Sequence, residues 1–167
     1  MSEQALSEQA EFVRRFFDAL ERSLRAWGVS QDRSFVDAIK ERDLPPETLE
    51  MLAYVSPELE WSPIFSSETY RGLFEVARGW DELLEASVDY HLTLHEAFDL
   101  DAERVFVTFG PTMEGRSSGI RVEAAVFAIV TIREGLIARI EEYTNRRVAL
   151  EAAGRSDDPS SDVQDGG

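Results

Sequence analysis

The acidic pair Glu141 and Glu142, near the end of the most apolar part of the chain, offers the residue best suited to acid–base chemistry. The run 136–144 around it predicts a β-strand, and alternate side chains of a strand face opposite sides of a sheet. If Ile140 faces an apolar interior, Glu142 does so too, whereas Glu141 and Tyr143 face away. Burial beside apolar walls raises the pKa of a carboxyl group and suits it to general acid or base catalysis near neutral pH.

A competing interpretation places Glu142 at the rim of the sheet, paired with Arg139 or Arg146. A structural ion pair also perturbs a pKa, so a perturbed carboxyl group is not by itself a catalytic one. The sequence leaves both interpretations open.

Large aromatic and thioether side chains elsewhere in the chain could form the wall of the interior that Glu142 would face. A cavity lined by such side chains, with few polar groups, suits a flat apolar ligand. The candidates for this wall are Trp61, Tyr70, Trp80, Phe109 and Met113. Core packing explains each of them equally well, and Tyr70 could also be a structural turn residue, although its phenol needs a partner when buried.

Two histidines, His91 and His95, are four residues apart, a spacing that would place them on one face of a helix. The alternation with Leu92 and Leu94 instead predicts a strand, on which both histidines share one side. No cysteine, third histidine or suitably spaced carboxylate completes a ligand set, so no metal site is predicted. His91 remains a candidate for a polar group that reaches the cavity. The alternative is that His91 lies on a solvent-exposed face of the strand.

The composition limits the classes of partner. The chain of 167 residues has 17 basic and 33 acidic residues, a formal net charge of −16 and no cysteine. This charge repels phosphate backbones and anionic membranes, so neither nucleic acid nor a membrane is an expected partner. No apolar run approaches the roughly 20 residues of a membrane span, and no phosphate-loop or nucleophile-elbow motif occurs. We therefore expect a cytoplasmic protein without a cofactor.

The elements that must position these residues change their period along the chain. Helical spacing predicts a long first helix, two short helices between 30 and 55 and another helix over 73–84, with a short edge strand at 59–63. From Tyr90 the period becomes 2, which predicts a meander of strands at 90–98, 103–114, 119–132 and 136–144. Because 122–132 is apolar on both faces, we expect a curved sheet around an apolar cavity.

Helices followed by antiparallel strands predict an α+β class, with the helices packed on one face of the sheet. Residues 1–154 are expected to form a single domain. The remaining residues, 155–167, are rich in serine, aspartate and glycine and predict a disordered acidic tail.

Several short strings occur in the order typical of the SnoaL-like branch of the nuclear transport factor 2-like (NTF2-like) superfamily, which residues 8–153 resemble. These strings are Glu60-Trp-Ser-Pro63, Tyr70-Arg-Gly72, Gly119-Ile-Arg-Val122, Arg133-Glu-Gly135, Arg139-Ile-Glu-Glu-Tyr143 and Ala149-Leu-Glu-Ala-Ala-Gly154. The resemblance implies a cone-shaped α+β barrel, in which a curved antiparallel sheet with N-terminal helices on its concave face encloses an apolar pocket. It also implies homodimers in many members, and activities so varied that the fold does not determine the function.

The resemblance bears on individual residues as well. In the similar limonene-epoxide hydrolases and polyketide cyclases, a catalytic carboxylate occupies the place of Glu142. The epoxide hydrolases add an arginine and an aspartate where this chain has Phe109 and Pro111. Ketosteroid isomerases use a tyrosine of the first helix and a carboxylate where this chain offers phenylalanine and Ser62. Neither of these two reactions is therefore expected.

Two hypotheses of different classes follow. The first is a cofactor-independent isomerase, cyclase or lyase that acts on a small hydrophobic carbonyl compound, with Glu142 moving the proton. The second is a non-catalytic module for ligand binding or dimerisation. Separately, Phe127 and Ile129 fall on the opposite face of their strand from Val126, and this apolar strip predicts a homodimer that covers it.

Overall fold

The computed structural model describes residues 7–29 and 34–155. All of the predicted acidic tail except residue 155 lies outside the described residues. In chain order the elements are α1 (Glu8–Val29), α2 (Phe35–Lys40), α3 (Pro46–Leu52), β1 (Val55–Ser62), β2 (Tyr70–Arg71), α4 (Leu73–Glu85), β3 (Ser87–Asp99), β4 (Arg104–Gly115), β5 (Arg121–Glu123), β6 (Val126–Arg133), β7 (Leu136–Tyr143) and α5 (Arg146–Ala152). The class is α+β, as the sequence predicts.

The short helix α2 is held by side chains at its N-terminus. The Ser34 hydroxyl accepts a hydrogen bond from the Asp37 N–H, as an N-cap residue does. Asp81 of α4 accepts hydrogen bonds from the N–H groups of Phe35 at 2.7 Å and Val36 at 3.2 Å. These bonds fix α2 against α4. Within the described part of the chain, no helix combines the length and apolarity that a membrane crossing requires.

The strands form one sheet in the order β2-β1-β7-β6-β4-β3. The short strand β5 pairs with the part of β4 that continues beyond its pairing with β6. All described pairings are antiparallel except that of β1 with β7, which is parallel. The segment 119–132, predicted as one strand, is divided into β5 and β6, and the Ala124 N–H between them bonds to the Pro111 carbonyl. The predicted edge strand is longer than expected and lies inside the sheet, because the two-residue strand β2 pairs with its outer side.

The sheet curves strongly around the helices. Strands β1 and β3 are four positions apart in the strand order, which in a flat sheet would separate them by about 19 Å. Trp61 of β1 and Leu92 of β3 nevertheless line the same cavity. Irregular register near His95 and Thr131 accompanies this bending. The concave face and helices α1 to α4 therefore enclose the main core.

The opposite, outer face of the sheet carries a second apolar cluster. Phe106, Ala149 and Leu150 are buried there, with Phe127 partly buried against them. Helix α5 supplies two of these side chains, and Ile129, directly opposite Phe106 in the sheet, is only 2% exposed. The chain thus covers much of the predicted apolar strip by itself. Homodimerisation stays a prediction.

Candidate functional site

A cavity of about 150 Å³ lies between the concave face of the sheet and the helices. Phenylalanine, leucine, valine and methionine side chains supply most of its wall. No lysine, arginine or histidine belongs to that wall in the described part of the chain. Apolar cavities of this size can hold a benzene-sized molecule. The cavity therefore has room for a small apolar molecule.

Glu142 supplies the carboxylate that borders this cavity. Strand β7 turns alternate side chains inward, so Ile140 and Glu142 both line the cavity, as the parity of the strand predicts. The Trp61 indole N–H donates to Glu142 Oε2 at 2.8 Å, and the Ile64 backbone N–H donates to Oε1 at 3.1 Å. Each oxygen is thus held by one donor, which fixes the orientation of the carboxylate toward the cavity.

The surroundings of Glu142 favour its protonated form. Burial among apolar groups raises the pKa of the Glu142 carboxyl to about 7, while the two hydrogen bonds act in the opposite direction. The burial effect wins because the neighbouring cavity wall is apolar and holds no cation among its described residues. Near neutral pH, both the charged and the neutral forms of Glu142 are populated.

Arg139 and Arg146, the alternative partners considered for Glu142, bind other carboxylates. Arg139 contacts Glu60 at 3.0 Å across the β1–β7 pair, on the face turned away from the cavity. Arg146 contacts Glu96 at 2.8 and 3.2 Å on the outer face. The structure therefore assigns Glu142 to the cavity and not to an ion pair with either arginine.

Four of the predicted wall residues meet at the cavity: Trp61, Trp80, Phe109 and Met113. The rings of Trp61 and Trp80 are stacked, with centroids 5.2 Å apart and planes 15° apart. Phe65 adds an edge contact to Trp61 from the loop after β1. Together these rings form an aromatic part of the cavity wall beside Glu142.

Tyr70 takes a supporting position behind that wall. It is 1% exposed and packs on Trp61 at a centroid distance of 5.7 Å. Its hydroxyl donates to Glu82 at 2.8 Å, and the guanidinium of Arg78 lies over its ring. The described cavity lining does not include it. Tyr70, predicted as a wall residue, thus lies behind Trp61 and outside the described cavity lining.

His91 does not line the cavity, and this corrects its selection as a ligand-binding candidate. It lies between two carboxylates, with Nδ1 3.0 Å from Glu21 of α1 and Nε2 2.9 Å from Asp89. Leu92 projects into the cavity, so its neighbour His91 must point the other way. Hydrogen bonding to Glu21 raises the pKa of His91. His91 thus attaches α1 to β3.

The sequence analysis missed Tyr90, which lines the cavity near Glu142. Its ring meets Trp80 edge to face, with centroids 5.8 Å apart. Burial, and to a smaller extent the charge of Glu142, raise the pKa of the Tyr90 phenol. The signal was present, because Tyr90 shares the parity of Leu92 and Leu94.

The described residues contain no group of three or more histidine, cysteine, aspartate or glutamate side chains arranged to hold a metal ion. The chemistry that this arrangement offers is proton transfer by one partly buried carboxylate at an apolar cavity, with the Tyr90 phenol in the same wall.

Comparison with known proteins gives a family match. The model of the SnoaL-like domain family matches residues 33–140 of this chain. No curated protein matches it.

Solved structures with the same fold are numerous but distant in sequence. A protein from a soil-derived mobile gene cassette is 15% identical, with a TM-score of 0.57 over 88% of this chain and 96% of its own. A putative polyketide cyclase from Pseudomonas putida is 16% identical, with a TM-score of 0.56 over 87% and 97%. A putative SnoaL-like polyketide cyclase from Jannaschia is 15% identical, with a TM-score of 0.54 over 95% and 99%. At these identities the likeness concerns the fold alone.

Proposed function

This chain belongs to the SnoaL-like domain family, and we propose that it binds a small apolar carbonyl compound in its cavity and moves a proton with Glu142. The single observation that carries the proposal is the position of Glu142, a carboxylate fixed by two donors at an apolar chamber. Structural carboxylates are usually placed at the surface or paired with a cation. This one has neither arrangement, and its raised pKa suits acid–base work.

The proposed step is proton transfer next to a carbonyl group. The Glu142 carboxylate takes the proton of a C–H bond on the adjacent carbon, and the bonding electrons move onto the carbonyl oxygen to form an enolate. Protonated Glu142 then returns the proton to the same or another carbon, which regenerates the carboxylate. An isomerase, a cyclase or a lyase can each be built on this step, and none of them needs a cofactor.

A non-catalytic binding module is the second candidate. The observation that favours it is the absence of lysine, arginine and histidine from the described cavity wall, so no cationic side chain there stabilises an enolate. On this alternative the cavity holds an apolar molecule without changing it.

Hydrogen–deuterium exchange separates these candidates. We would incubate the protein with cyclohexanone in D₂O and follow loss of the α-hydrogen signal by proton NMR. The native protein should accelerate the exchange, and Glu142→Gln should return it to the buffer rate while the fold is retained. Glu141→Gln is the matched control, because this neighbouring carboxylate faces away from the cavity and should leave the rate unchanged.

Two results would count against catalysis by Glu142. Equal exchange rates for the native protein and Glu142→Gln would remove its role as a base. Binding of cyclohexanone without any acceleration by the native protein would support the non-catalytic module.

A further inference from the structure

We infer that Tyr90 donates a hydrogen bond to the oxygen atom of the cavity ligand, and that this ligand is a neutral single-ring ketone or aldehyde. The inference rests on the proposed function, since it concerns the same cavity, and it names the class of compound that the cavity takes. The position of Tyr90, its free hydroxyl and the chemistry of the cavity wall support it independently.

The direction of Tyr90 follows from the strand that carries it. Tyr90 and Leu92 alternate with His91 along β3, and both line the cavity. The edge contact with Trp80, at an interplanar angle of 87°, holds the Tyr90 ring upright beside the stacked indoles. The parity of β3 and the contact with Trp80 therefore place the Tyr90 ring in the cavity wall.

The Tyr90 hydroxyl has no hydrogen-bond partner among the described residues, whereas the hydroxyl of Tyr70 donates to Glu82. No fully buried side-chain nitrogen or oxygen atom in the described part of the chain lacks a partner. The unpaired Tyr90 oxygen must then retain accessible surface, and the cavity is the space that Tyr90 borders. A ligand oxygen would satisfy this donor.

The Tyr90 phenol stays protonated at neutral pH. Burial raises its pKa above the ordinary value, and the negative charge of Glu142 raises it further. A protonated phenol in an apolar chamber is a hydrogen-bond donor that favours an oxygen acceptor. Tyr90 and Glu142 both line the cavity, so one ligand can accept a hydrogen bond from the first and lose a proton to the second.

The rest of the wall defines the ligand further. Trp61 and Trp80 make part of the wall aromatic, and the volume of about 150 Å³ suits a single ring. An anionic ligand would meet Glu142 without a compensating cation among the described lining residues. A neutral ring with one acceptor oxygen, near a carbon that Glu142 can deprotonate, fits all of these constraints.

Paired probes test the role of Tyr90. We would measure the dissociation constants of cyclohexanone and of methylenecyclohexane, its hydrocarbon isostere, by ligand-detected NMR titration. Tyr90→Phe removes only the hydroxyl and keeps the ring that packs on Trp80. We expect it to weaken cyclohexanone about fivefold and to change methylenecyclohexane by less than about twofold. Tyr143→Phe, a tyrosine of the outer face, is the matched control and should change neither.

Several results would overturn the inference. If Tyr90→Phe weakens the binding of both probes equally, the hydroxyl acts through packing. If it changes the binding of neither probe, the hydroxyl does not contact the ligand. Failure of the native protein to bind either probe, or binding of cyclohexanecarboxylate as tightly as cyclohexanone, would overturn the ligand class. If the proposed role of Glu142 as a base fails, the preference for cyclohexanone over methylenecyclohexane should remain. Only the deuterium exchange would then show the failure, so the two proposals are tested separately.

Discussion

The indole nitrogen of Trp61 donates a hydrogen bond to Glu142 across 2.8 Å, joining two residues that are 81 positions apart in the chain. Parallel pairing of β1 with β7 creates this contact, since Trp61 lies directly beside Ile140, two residues before Glu142. The bond stabilises the charged carboxylate, while burial opposes that charge. The balance between the two effects sets the pH at which Glu142 ionises.

Trp61→Phe should therefore raise the pKa of Glu142 above its value of about 7. The substitution removes the N–H donor that favours the charged form and keeps an aromatic ring in the wall. The pKa can be followed through the carboxyl carbon signal of Glu142 in a ¹³C NMR titration. Trp80→Phe is the control, because Trp80 stacks on Trp61 without bonding to Glu142. A midpoint that falls in Trp61→Phe would show that the bond does not stabilise the carboxylate.

Stability should depend on the protonation of Glu142 between about pH 4.5 and 7. The folded pKa is raised, so the folded state binds a proton that the unfolded state releases in this window. The stabilising contribution is then fully present below the unfolded pKa and is lost as the pH rises through the folded pKa. Across this window, ionisation of Glu142 should lower the free energy of unfolding by on the order of 3 kcal/mol.

Urea denaturation of the native protein and Glu142→Gln at several pH values measures this effect. The stability of the native protein relative to the variant should decline from pH 5 to pH 8, because glutamine cannot ionise. A difference that stays constant or increases over that range would contradict the burial that we assign to Glu142.

The inward position of Glu142 could be predicted because it depends on a local rule. One buried residue of β7, Ile140, determines the parity of the strand and hence the direction of Glu142. The same rule applied to Leu92 would have identified Tyr90 as well. What the rule cannot supply is the partner of Glu142, because the Trp61 bond depends on the pairing of two strands that are distant in the sequence.

His91 is a second residue whose partner could not be predicted from the local sequence. Its partner Glu21 is 70 positions away on α1, and only the packing of that helix on β3 brings the two together. The apolar side chain of Ile129 likewise predicts that the outer face of the sheet is covered. It does not predict that α5 is the covering element. Local periodicity therefore predicts the elements and their faces, while tertiary packing selects the contacts across them.

Gly79→Ala should disturb the aromatic wall. A Cβ atom at Gly79 of α4 would lie 2.9 Å from Cζ3 of Trp61 and 3.2 Å from ring atoms of Tyr70. Overpacking of this kind costs about 1–3 kcal/mol, of which alanine recovers up to about 1 kcal/mol through its better helix propensity. We expect a net loss of stability in urea denaturation. In the Trp61→Phe background the same substitution should cost less, because the smaller ring leaves room, and equal costs in both backgrounds would argue against this contact.

Arg146→Ala should loosen α5 from the outer face of the sheet. The Arg146 guanidinium binds both oxygens of Glu96, at 2.8 and 3.2 Å, and lies 5.2 Å from the centre of the Phe106 ring. The side chain is only 23% exposed, so the pair is less screened by solvent than a surface pair. We expect a loss of about 1–2 kcal/mol in the free energy of unfolding.

The neighbouring Arg147 provides the control for that measurement. Its contact with Glu151 is 3.9 Å long, and its side chain is 80% exposed. Pairs of this kind contribute little to stability, so Arg147→Ala should change the free energy of unfolding by less than about 0.5 kcal/mol. Equal effects of the two substitutions would mean that the bond to Glu96 and the contact with Phe106 do not hold α5 in place, and that its apolar residues Ala149 and Leu150 suffice.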